Sequence, residues 1–270
     1  MNGLSSPLMT QSEICNESPP WCVEILRDLE SRLAGDSGFP CVFSKNAFKK
    51  KLIRFIFVAN AESGGVQHLA EGLSQYVRLS REWDGSLDTA YPLVVGFSRD
   101  AVAADTAEGY DAFGWRILQA LHDLDPAPWP SHVGQDANAA DWSMCFNGMP
   151  LFVNMSHPLH QARRSRHLGR HFLFVINPRE RFDVFAGDTP GGRQVRTNIR
   201  QRIERYDGQP HAPQLGFFGA DSREWWQYSL LDHNGPRADR CPFLVRTATT
   251  STARAAASAP SHASNTTPTP

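Results

Sequence analysis

Trp142-Ser143-Met144-Cys145-Phe146-Asn147-Gly148-Met149-Pro150-Leu151-Phe152-Val153-Asn154-Met155 reads as two β-forming runs around a two-residue turn. Asn-Gly suits a type I′ turn because both residues tolerate positive φ, so Trp142 to Phe146 and Pro150 to Met155 are expected to form a hairpin. On either side of it the signals alternate between strand and helix. Phe55 to Val58, Leu93 to Phe97 and His171 to Ile176 are short apolar runs that read as buried strands. Ser18-Pro19-Pro20 precedes Trp21, Val23, Ile25, Leu26, Leu29 and Leu33 at helical spacing, with Gly35 behind them. Gln67 to Leu79 and Tyr110 to Leu121 carry one apolar helical face each, and the second ends in the turn-forming Asp125-Pro126-Ala127-Pro128. Asn198 to Tyr206 reads as a short charged helix and Glu224 to Leu231 as an aromatic-rich segment. No fixed-period repeat is visible. The expectation is one α+β domain over residues 15–246, a mixed sheet covered by helices.

Composition bounds the classes. The 270 residues are 41% hydrophobic and 10% aromatic, enough for a sizeable core and incompatible with collagen-like, coiled-coil or fully disordered chains. A formal net charge of −1 argues against a general nucleic-acid binder. No basic segment precedes an apolar stretch at the N-terminus, and no run approaches the roughly 18 apolar residues of a membrane span, so a cytoplasmic protein without membrane partners is expected. Five cysteines without a C-x-x-C pair indicate neither a disulfide framework nor a zinc ribbon. Residues 247–270 hold no aromatic and no large aliphatic residue and read as a disordered tail; the Ser-containing residues 1–14 read as loose.

Charge is unevenly distributed. Between Arg81 and Asp141 eleven acids face three arginines, whereas between His160 and Tyr206 eleven arginines face four acids. The two segments either pair with each other or meet solvent, or the second forms an anion pocket, since the arginine fork matches carboxylate and phosphate. The densest part is Ser156-His157-Pro158-Leu159-His160-Gln161-Ala162-Arg163-Arg164-Ser165-Arg166-His167-Leu168-Gly169, directly after the hairpin. Four of the ten histidines (157, 160, 167 and 171) fall within fifteen residues from His157, and a neutral imidazole is a common iron ligand. There is no phosphate-binding G-x-x-x-x-G-K-[ST], no H-E-x-x-H, no G-x-S-x-G and no strand-linked G-x-G-x-x-G.

Phe39-Pro40-Cys41-Val42-Phe43 with Ala47-Phe48, Trp129-Pro130, Cys145 through Phe152, His160 with Arg163 through Arg166, and Asn177-Pro178-Arg179-Glu180 together resemble the YqcI/YcgG family over residues 39 to 231. The resemblance implies a haem-dependent monooxygenase that N-hydroxylates a guanidino group, converting L-arginine to Nω-hydroxy-L-arginine in antibiotic biosynthesis of the D-cycloserine type. It implies haem b as cofactor, dioxygen and an external electron donor as co-reactants, and a downstream hydrolase that takes the product. The donor is external because no flavin or nicotinamide fingerprint is present. A protonated guanidinium, with a pKa above ~12, is poorly nucleophilic and needs a strong oxidant. His160, on the family's P-x-H position, is the expected axial ligand, with His157 and Cys41 as alternates. Arg163, Arg164 and Arg166 are expected to hold the haem propionates. Glu224, beside Trp225 and Trp226, is the candidate partner of the substrate guanidinium. Competing readings are a haem-binding or sensing protein without turnover, hydroxylation of another guanidino compound or of the δ nitrogen, and a metal-free phosphate or nucleic-acid binder.

Overall fold

A computed structural model describes residues 6–219 and 222–246. Six strands form one mixed sheet: β1 (Met9–Thr10), β2 (Arg54–Val58), β3 (Leu93–Phe97), β4 (Met144–Phe146), β5 (Met149–Ser156) and β6 (Leu173–Pro178), in the spatial order β1-β2-β3-β6-β5-β4. Only β2 and β3 run parallel; every other neighbouring pair is antiparallel. The hairpin forms as expected, with Asn147 at φ 49° and Gly148 at φ 72°. Its first arm is shorter than the apolar run: Trp142 is buried outside the strand, and the Ser143 hydroxyl leaves the ladder to donate to Glu224.

Alternation along the strands divides the core into two layers. Phe55 and Phe57 of β2 pack on α1 (Pro20–Leu33) and α2 (Val42–Lys49). Ile56 and Val58 point the other way, with Leu93, Val95 and Phe97 of β3, against α3 (Ser63–Arg81) and α4 (Ala107–Asp123). Each buried Leu or Phe side chain contributes about 1.5–3 kcal/mol. Helix α1 begins at Pro20, where the missing N–H costs nothing, and buries Cys22, Ile25, Leu29 and Leu33 along one stripe. A further helical pair, α5 (Glu180–Ala186) and α6 (Pro190–Asp207), follows β6, and α7 (Trp225–Tyr228) packs on β5.

Several elements differ from the sequence expectation. Met9–Thr10 was expected to be loose; it pairs with Phe55 and Arg54 as an edge strand, and Ile14 is buried behind it. Two residues are too few to show alternation, so tertiary pairing alone defines this strand. Helix α6 starts eight residues before the charged stretch: Pro190 takes its first turn and Thr189 accepts the Gly192 N–H, which offsets the poor propensity of Gly191-Gly192. The tail over residues 247–270 lies outside the described residues. Among the described residues no helix is long and apolar enough to cross a membrane.

Candidate functional site

The loop after β5 is closed on itself by one buried hydroxyl. Ser156 Oγ donates to the Arg166 carbonyl at 2.6 Å and accepts the Leu168 N–H at 3.1 Å, which folds residues 157–168 back over the end of the strand. His157 and His160 are thereby stacked, ring centroids 3.8 Å apart and 21° from parallel, with relative exposures of 3% and 5%. Tyr110 of α4 lies over His157 at 5.1 Å, almost parallel to it. Neither ring nitrogen of His160 and not the Nδ1 of His157 has a hydrogen-bond partner among the described residues. Burial pushes the His157 imidazolium down to about 4, and burial together with His157 and Arg166 depresses that of His160 as well. Both rings are neutral at pH 7 and offer lone pairs.

Two arginines flank the pair. Arg163 is 1% exposed; its Nε donates to the Leu231 carbonyl and its Nη2 to His233 O and Asn234 Oδ1, leaving Nη1 unpartnered. Arg166 is also buried with Nη1 unpartnered, and burial followed by the neighbouring Arg163 lowers it to about 10. An unpartnered buried guanidinium nitrogen is costly, so the cluster is poised for an anion. Arg164, by contrast, is exposed and lies over the Tyr206 ring at 4.9 Å.

Asp232 completes the cluster from a distant part of the chain. Its carboxylate accepts three consecutive backbone N–H groups, Gln161 at 3.1 Å, Ala162 at 2.9 Å and Arg163 at 2.8 Å, and its Oδ1 lies 3.6 Å from His160 Nδ1. Partial burial alone would raise this carboxyl, but the three N–H donors more than offset it and hold it below the usual range. Sequence reading missed Asp232, because an isolated acid 69 to 71 residues from its partners carries no local signal.

The other expected residues lie elsewhere. Cys41 is half-buried at the start of α2, on the opposite layer of the core from Tyr110, and its carbonyl accepts Ser44 Oγ at 2.9 Å. Glu224 is 2% exposed and already committed: it accepts from Ser143 Oγ at 2.6 Å and Tyr228 Oη at 2.8 Å, and pairs with Arg179 Nε at 3.0 Å. Arg179 in turn stacks on Phe218 at 3.9 Å, so Glu224 holds a guanidinium of its own chain, with Phe218 rather than Trp225 or Trp226 as the aromatic face. A substrate guanidinium would have to displace Arg179. The acidic and basic segments do not pair; among the described residues no ion pair joins them, and Arg170 goes instead to Glu24 and Asp28 of α1.

One cavity of about 560 Å³ lies between α1 and the ends of β3 and β6, and another of about 370 Å³ lies beside Arg179 and Phe218. Neither is lined by His157 or His160. Among the described residues no three His, Cys, Asp or Glu side chains converge to hold a bare metal ion.

Comparison with known proteins gives the chain its family. The YqcI/YcgG family model matches residues 29–244. The chain is 59% identical over 245 residues, 91% of its length and 92% of the relative's, to a Streptomyces lavendulae protein named "Putative N(omega)-hydroxy-L-arginine synthase DcsA". It is 34% identical over 85% of its length to the uncharacterized YcgG of Bacillus subtilis strain 168, covering 90% of that protein, and 31% identical over 84% of its length to YqcI of the same strain, covering 89%. No solved structure matches the chain significantly. The chain belongs to the YqcI/YcgG family.

Proposed function

We propose that this protein is a haem-dependent monooxygenase that converts L-arginine to Nω-hydroxy-L-arginine. The observation that carries the reading is the buried pair His157 and His160, with unpartnered ring nitrogens, beside the unpartnered Nη1 atoms of Arg163 and Arg166. That donor set fits a haem, which needs a single neutral imidazole on one side of the iron and cations for its propionates. His160 would be the ligand, and Arg163 and Arg166 would take the carboxylates. Both rings are buried, so the side chains around His160 would have to move for a planar group to reach it. When bound, haem supplies dioxygen activation with electrons delivered from outside the protein. The name of the Streptomyces lavendulae relative supports arginine as the substrate.

The reaction balances with one oxygen atom entering the new N–O bond and the other leaving as water, while an external donor provides two electrons and two protons. The chain's contribution is to hold the cofactor, exclude water from a buried site and orient the guanidinium. The test is the absorption spectrum of the haem-supplemented protein, reduced and exposed to carbon monoxide, alongside His160→Ala, His157→Ala and Cys41→Ala. A histidine-type band lost in His160→Ala and retained in the other two is the expected result. A strongly red-shifted thiolate band lost in Cys41→Ala would transfer the ligand to Cys41, and no haem band at all would remove the reading. Arginine-dependent oxygen consumption, with the added oxygen mapped by mass spectrometry to a terminal guanidine nitrogen, then separates an enzyme from a haem sensor and Nω from Nδ chemistry.

A further inference from the structure

We propose that Asp232 is the positioning residue of the His160 ligand: it holds Nδ1 of the ring and so turns Nε2 toward the metal. The proposal rests on the haem reading above and extends it to a residue outside the sequence cluster. Three observations carry it. First, Asp232 Oδ1 lies 3.6 Å from His160 Nδ1, a movement of about 1 Å or less from a hydrogen bond. Second, the carboxylate is fixed by three consecutive backbone N–H donors from residues 161–163, the segment that directly follows His160, so ring and acid belong to one rigid unit. Third, no other polar group among the described residues reaches either nitrogen of the buried ring, so nothing competes for Nδ1.

Metal-binding histidines commonly donate their second N–H to a carboxylate, which fixes the tautomer and raises the basicity of the ligating nitrogen. Here the N–H would sit on Nδ1 and donate to Asp232, leaving the Nε2 lone pair for iron. An anion on the far side of the ring also stabilises the ferric state over the ferrous, which lowers the midpoint potential. The alternative is that Asp232 only caps the loop backbone. The two differ in what the iron senses, not in whether the loop is stable.

The experiment compares the wild-type protein with Asp232→Asn, both loaded with haem. The iron–histidine stretch of the ferrous form is read by resonance Raman spectroscopy, the midpoint potential by redox titration and the haem affinity by titration. In the wild type the stretch should fall in the high-frequency range of strongly hydrogen-bonded, imidazolate-like ligands. In Asp232→Asn it should shift down, the potential should rise, and haem should bind about 10–100-fold more weakly. Unchanged stretch and potential in Asp232→Asn overturn the proposal even if affinity falls, because loop capping alone would do that. Should the variant not fold, a wild-type stretch typical of an unbonded neutral imidazole overturns it equally. A wild-type protein whose haem is absent or not ligated by histidine overturns the haem reading itself, and the proposal with it.

Discussion

Glu224 shows how far burial reaches into a single side chain. Burial raises its carboxyl to about 7 from an ordinary 4.5, despite the opposing pull of Arg179, Ser143 and Tyr228. The folded protein therefore keeps this proton to higher pH than the unfolded chain does. Its contribution to stability is complete below about pH 4.5 and is lost as pH rises through about 7. Glu224→Gln removes the titration. Between pH 5 and 7 the wild type should lose stability relative to Glu224→Gln, by at most about 1.4 kcal/mol per pH unit, in urea unfolding followed at several pH values. A constant offset from the altered Arg179 pairing would not change that slope, and parallel profiles would show that Glu224 is ionised throughout. At this scale part of the site was legible in the sequence. His157, His160, Arg163 and Arg166 stand together because density of one chemistry along the chain survives folding when a single loop carries it. Asp232 was invisible, since only the return of the chain to that loop gives it a role, and the sequence could not show that Glu224 already holds Arg179.

Two glycines separate backbone strain from packing at the level of whole elements. Gly148, in the β4–β5 turn, has φ 72° and no atom nearer than 3.8 Å to an added Cβ, so Gly148→Ala should cost only the left-handed penalty, about 1–2 kcal/mol. Gly114 lies within α4, where a Cβ would meet Met155 Sδ at 2.6 Å and Phe172 Cζ at 3.0 Å. Gly114→Ala should therefore cost about 1–3 kcal/mol through displacement of the Met155 and Phe172 side chains under α4, offset in part by alanine's better helix propensity. Amide exchange distinguishes the two: the first change should loosen the hairpin amides, the second those of α4. Equal protection patterns in both variants would contradict this division. The strands were legible for the same reason that these positions are demanding, since a sheet covered on both faces leaves compact apolar runs in the sequence. The short elements were not. Helix α2 presents Val42 at 41% exposure and shows no clean apolar stripe, and α5 spans only Glu180–Ala186, too few residues for a periodic signal.

The molecule as a whole is tied together by a segment with no regular secondary structure, residues 231–246, which crosses from the candidate site to the far end of α4. It takes hydrogen bonds from Arg163 at Leu231 and His233, gives the Cys241 N–H to Asn138 Oδ1 at 3.1 Å, and exchanges bonds between Leu244 and Gln119. Backbone hydrogen bonds exposed at an edge contribute little net free energy, so the segment needs an apolar anchor to stay down. Phe243 is that anchor: it is 3% exposed and packs on Trp142 at 5.4 Å, His122 at 5.2 Å and Trp129 at 6.1 Å. Phe243→Ala should destabilise the protein by about 3–5 kcal/mol, the range for deleting a buried aromatic ring. The loss should appear as a lower urea midpoint. If the segment releases as a unit before the sheet unfolds, limited proteolysis should cut within residues 231–246 at denaturant concentrations where the rest of the chain stays protected. A loss below about 1 kcal/mol would mean that the ring's pocket collapses freely when emptied, and that the hydrogen bonds alone hold the segment in place. Since Asp232 lies on this segment, its release should also weaken the haem binding proposed above in Phe243→Ala, with the sheet still intact.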